Sequence, residues 1–155
     1  MDPSEQKALN DIDEYGCHII QVLAEGDYPA FSYSIGIATT YQEPDLCVIG
    51  LKEPIAGFVI NEYAAQLKQG IHFTNGKLYS GFLEGFNVYF ETVSENHYKN
   101  YFGYATWYYK GDNFKMRQLV WPTTSGVFPW SGIGPDIFED WQPILTHNGK
   151  TTIPL

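Results

Sequence analysis

The sequence predicts an α+β fold: a single domain with a mostly antiparallel sheet, about three helices packed on it, and an irregular C-terminal segment rich in Pro and Trp. Three observations carry that expectation. Helical and strand-like periodicities interleave along 155 residues with no linker, repeat or low-complexity stretch to divide them, and a chain of this length can bury a sizeable core. Neighbouring strand-like runs are joined by short turns more than by helical crossovers, which suits antiparallel pairing. The composition, 44% hydrophobic and 17% charged, is that of a globular protein.

Each element can be justified in order. Pro3-Ser4-Glu5 opens a helix, with Ser4 as cap and Gly16 as stop. Ala8, Leu9, Ile12 and Tyr15 give it one apolar stripe. Residues 17–24 read as a strand rich in β-branched side chains, "EGDYP" as a turn, and residues 30–38 as an alternating strand that completes a hairpin. Phe31, Tyr33, Ile35 and Ile37 fall on one side of that strand; Ser32, Ser34 and Gly36 fall on the other. The continuous apolar run 45–51 suits a central strand. A second helix is expected over 55–69, with Pro54 in its first turn and Ile55, Phe58, Val59, Tyr63 and Leu67 facing the core. "LYSGFLE" and "FNVYFETV" (86–93) are strands, and 96–110 reads as a Tyr-rich third helix. Gly103 inside it costs about 1 kcal/mol relative to Ala, which suggests a close packing contact there. "FKMRQLVW" is a last strand, ended by Pro122 because proline cannot donate to the ladder.

The net charge of −9 sits in one half of the chain. Residues 1–62 carry 11 acids and 2 bases, whereas 63–155 carry 7 of each. With no basic stripe to neutralise phosphates, no nucleic acid is expected as a ligand, while a basic protein partner suits the acidic half. Cys17 and Cys47 lie in separate apolar runs, as free and buried thiols in a reducing compartment would. The acidic N-terminus lacks a signal-peptide core, and no apolar run reaches the roughly 20 residues of a membrane helix. The expectation is a cytoplasmic protein without a membrane partner.

The familiar motifs of catalysis are missing: no GxSxG, no Walker loop and no dinucleotide fingerprint. The one arginine, Arg117, reads as an ion-pair partner on a sheet face. His18, His72, His97 and His147 show no i+2 or i+4 pairing, so no metal site or cofactor is assigned. Asp45, in "EPDL" at a strand entrance, is read first as an Asx-like residue that bonds nearby backbone amides and fixes the turn; it is also the best acid if there is chemistry, with His72 a second base candidate. Tyr101, Tyr104 and Tyr108 share one face of the expected third helix, with Tyr109 overlapping it. No catalytic residue is assigned.

The segments "FSYSIGI", "PDLCVIGL", "YFGYATWYY", "QLVWP", "GVFPW" and "WQPIL" occur in an order that resembles the bacterial domain-of-unknown-function family numbered 4262, from about Tyr15 to Leu145. The resemblance covers Tyr33, Gly36, Pro44, Asp45, Leu46, Gly103, Ala105, Tyr108 and Tyr109, then Gln118, Trp121, Pro122, Gly126, Phe128, Pro129, Trp130, Gln142 and Pro143. Ser34 stands where the family pattern has Thr, and Thr123 where it often has Asp. The second departure argues against an Asp-dependent mechanism. The family name implies no activity.

Two functions follow as expectations. The first is a non-catalytic binding protein, of the immunity type, that neutralises a partner protein; Trp and Tyr are low-entropy interface anchors. The alternative is a small-molecule site, or a hydrolase- or transferase-like enzyme, with an aromatic pocket. The candidate binding residues are Tyr33, Asp45, Tyr104, Tyr108, Gln118, Trp121, Trp130 and Gln142. The Thr123–Ser125 hydroxyls border the same segment.

Overall fold

The computed structural model describes residues 2–122 and 142–149. Its centre is a six-stranded sheet in the order β1-β2-β3-β6-β5-β4. The strands are β1 (His18–Val22), β2 (Phe31–Ile35), β3 (Asp45–Ile49), β4 (Tyr79–Leu83), β5 (Phe86–Thr92) and β6 (Met116–Val120). All neighbours pair antiparallel except β3 and β6, which run parallel with Asp45 opposite Met116 and Cys47 opposite Gln118. The expected α+β class with a mostly antiparallel sheet is the observed one.

Both faces of the sheet are covered. Alternate strand residues point to opposite faces, and the core accordingly divides in two. Leu46 and Val48 of β3 join Val88 and Phe90 of β5 beneath helix α3 (Glu53–Lys68). Cys47 and Ile49 join Tyr33 and Ile35 beneath α1 (Pro3–Tyr15), α4 (Tyr98–Tyr101) and α5 (Gly103–Tyr109). Every residue of β2 and β3 is therefore buried, which explains why 45–51 reads as a continuous apolar run.

Five local expectations are corrected. Asp2, not Ser4, caps α1: its carboxylate accepts from the Glu5 amide at 2.9 Å, placing Pro3 at the first helical position. The strand expected to reach Ala38 stops at Ile35, because Gly36 turns the chain left-handed (φ 97°) into a short helix, α2 (Ile37–Tyr41). The buried stripe of α3 is Ala56, Val59, Ile60, Tyr63, Ala64 and Leu67. Ile55 and Phe58 point outward, 42% and 56% exposed, because the helix is rotated from the expected stripe. The third helix is broken: a 3₁₀ turn (Glu95–His97) and α4 end at Phe102, and α5 begins at Gly103. Gly103 meets no neighbour within 4 Å of an added Cβ, so it opens a helix rather than making a close contact. The segment beyond Pro122 that was expected to be irregular falls largely outside the described residues.

Candidate functional site

Four chain segments meet where β2 ends and β3 begins. Asp45, the first residue of β3, is fully buried, and its carboxylate receives a donor from each direction. Ser34 Oγ at the end of β2 donates to Oδ1 at 2.7 Å, and the Ile37 amide donates to the same oxygen at 2.9 Å. The other oxygen takes the Ala38 amide at 3.4 Å and the hydroxyl of Tyr109, the last residue of α5. Asp45 thus caps α2 from across the sheet end. Ile37 and Ala38 are the first amides of that helix, where an acceptor is otherwise lacking. Burial outweighs the opposing Tyr109, Ser34, Ile37 and Ala38 donors, so the carboxyl is pushed up to about 6.

The neighbours repeat the logic. Ser34 Oγ also accepts from the Leu46 amide at 3.0 Å, so the hydroxyl that Ser shares with Thr is the working group at this position. Tyr109 accepts from the Gly36 amide at 3.0 Å, and burial followed by the Asp45 charge holds its hydroxyl well above the ordinary tyrosine range. Tyr33 caps α5: its hydroxyl accepts from the Tyr104 amide at 3.0 Å, and burial pushes its pKa up to about 12. On the opposite face Tyr63 of α3 donates to the Pro44 carbonyl at 2.7 Å and accepts from Arg117 at 3.2 Å. Among the described residues Arg117 meets this hydroxyl and the Phe90 ring at 5.9 Å, where an ion-pair partner was expected.

The remaining candidates lie elsewhere. Trp121 follows β6 at the far end of β3, where its indole N–H donates to the Ile49 carbonyl at 2.8 Å. Gln142 grips the Trp121 backbone with both ends of its amide, at 2.9 and 2.8 Å. Gln118 donates to the Pro143 carbonyl and accepts from the Leu145 amide, both at 2.9 Å. Two glutamines thus fasten residues 142–145 to β6. The candidates fall into two groups: Tyr33, Asp45, Tyr104 and Tyr108 around α5, and Gln118, Trp121 and Gln142 along β6. Trp130 and the 123–125 hydroxyls lie outside the described residues. Tyr108 reaches the surface, its hydroxyl donating to Thr39 at 3.3 Å, and Tyr104 is 39% exposed.

Ser34, Gly36 and Tyr109 belong to the Asp45 network, and the candidate set omits all three. All three sit in the segments that carry the family resemblance, and that shared membership was the available signal. The histidines do not converge on Asp45: His18 pairs with Asp11 at 2.7 Å and His72 with Glu43 at 2.8 Å. Among the described residues no group of three His, Cys, Asp or Glu side chains is placed to hold a metal ion. In the same residues no helix is long and apolar enough to cross a membrane.

Fold and site together define an α+β protein built around a buried carboxylate joint. Residues 11–132 match DUF4262, described as a domain of unknown function, and the chain belongs to that family. Neither the curated proteins nor the solved structures compared with the chain gave a match.

Proposed function

We propose that this is a non-catalytic cytoplasmic binding protein, of the immunity type, that neutralises a partner protein by occupying its surface. The observation that supports the reading is the state of Asp45. The best candidate acid is buried and already receives donors from Ser34, Ile37, Ala38 and Tyr109. A general base must reach a substrate proton, and this carboxylate faces only its own fold. The side-chain amides of Gln118 and Gln142 are likewise engaged in holding the chain. Two free, buried thiols, Cys17 and Cys47, suit a reducing compartment. The test is co-purification with the product of a neighbouring gene, followed by calorimetric titration of the pair. A stoichiometric complex is expected; a monomer that binds none of its neighbours' products would contradict the reading.

A second reading, a small-molecule site, draws on a hollow of about 860 Å³ between the N-terminal turns of α3 and the β4–β5 hairpin. Ile55, Phe58, Leu83 and Phe86 give it apolar walls, and its size suits a drug-like ligand. A thermal-shift screen bears on it directly, since ligand at 100 times its dissociation constant stabilises by about 2.7 kcal/mol.

A further inference from the structure

We propose that the seam between α1 and α5 is the contact surface, and that it takes a basic segment of a partner protein. This rests on the binding reading above. Two hollows lie along one seam. The first, about 410 Å³, is lined by Asp2 and Glu5 of the α1 end and by Tyr104 and Trp107 of α5. The second, about 650 Å³, lies further along, between Leu9, Ile12 and Asp13 of α1 on one side and Thr39–Tyr41 of α2 on the other, with Tyr108 at the end of α5 closing it. Glu5, Leu9, Ile12 and Asp13 follow one another at helical spacing along a single face. Tyr104, Trp107 and Tyr108 do the same on the facing helix.

The two sides differ in chemistry, and a basic segment fits both. Along α1 the carboxylates Asp2, Glu5, Asp13 and Glu14 line the hollows against one cation, Lys68. No ion pair among the described residues involves Glu5, Asp13 or Glu14, so acids outnumber bases along this edge. Along α5 the rings are already set against one another: Tyr104 and Trp107 meet edge to face at 6.1 Å, and Trp107 and Tyr108 lie 6.4 Å apart. Ring faces attract ammonium and guanidinium groups, most strongly Trp. The half-buried Leu9 and Ile12 give the aliphatic stems of Lys or Arg an apolar floor. The seam therefore suits alternating basic and apolar side chains, and its charge disfavours nucleic acid and anionic membrane. The apolar hollow beside Phe58 lacks this charge asymmetry.

The test uses the full chain and a 14-residue amphipathic peptide with lysine on its polar face, beside the same peptide with glutamate at each lysine. Amide chemical-shift mapping with the lysine peptide should move Glu5, Leu9, Asp13, Tyr104 and Trp107 together, and the glutamate peptide should move none of them. The Glu5→Lys/Asp13→Lys protein should bind at least tenfold more weakly, and Trp107→Ala several-fold more weakly. Glu53→Lys/Glu84→Lys, charge reversals away from the seam, should leave affinity within twofold. Circular dichroism and melting of each variant separate lost contacts from lost folding. Equal sensitivity to both double reversals, shifts centred on Phe58 and Phe86, or no shifts at all would overturn the seam. None of these results bears on whether the neighbouring gene's product forms a complex, which judges the broader reading separately.

Discussion

At the scale of single residues, Asp45 sets the behaviour that can be measured. Its folded carboxyl titrates near 6 against an ordinary 3.8, so the folded state keeps this proton to higher pH than the unfolded state does. Stability contributed by the group is present below about pH 4 and is lost as pH rises towards 6, then stays level. Urea unfolding of wild type and Asp45→Asn from pH 4 to 7 should show it: wild type loses stability relative to the variant across that window, and the difference is constant above it. At pH 7 the variant should still be the less stable by about 2–4 kcal/mol, because an amide NH₂ cannot accept from the Ala38 amide and Tyr109. Tyr109→Phe removes one hydroxyl that joins Asp45 to the Gly36 amide. Its cost should be about 1–2 kcal/mol by denaturant midpoint at unchanged m-value.

At the scale of elements, two glycines in the family motifs behave oppositely. A Cβ at Gly36 would stand 2.7 Å from Ile12 Cγ1 of α1, at a left-handed φ of 97°. Gly36→Ala should therefore destabilise by about 2–4 kcal/mol, combining the φ penalty with overpacking against a branched side chain. Gly103 opens α5 in free space, and Gly103→Ala should be neutral or stabilise by up to about 1 kcal/mol. Thermal melts of the pair check both signs. The same positions show what was legible in the chain. The alternation of β2, the apolar run of β3 and the Pro-started α3 are local patterns, and they survive in the structure. The break at Phe102 and the turn at Gly36 depend on partners far along the chain. Tyr33 supplies the cap for α5 from 71 residues away, and Tyr109 receives the Gly36 amide from 73 residues away. No window of periodicity contains both partners of such a bond. The outward rotation of Ile55 and Phe58 has a related cause, since the sheet side of α3 is fixed by Tyr63 reaching Pro44.

At the scale of the molecule, the candidate site is a joint. Most side chains that looked like ligand-binding groups in the sequence are spent inside: Asp45 on α2 and α5, Tyr33 on α5, and Gln118 and Gln142 on the segment 142–145. The acidic edge of α1 and the aromatic edge of α5 face outward instead. Sequence reading found Asp45 because an acid before a buried strand is conspicuous. It divided the tyrosines less well, because a continuous helix would have placed Tyr101, Tyr104 and Tyr108 on one face, and the break at Phe102 separates Tyr101 from the other two. A single carboxylate, Asp45, ties α2 and α5 to the sheet as one unit. Amide hydrogen exchange of Asp45→Asn against wild type tests it most directly. In the variant α2 and α5 should lose protection together while α3 and β5 keep theirs. Unchanged protection in α5, or loss spread evenly over α3 and β5, would contradict it.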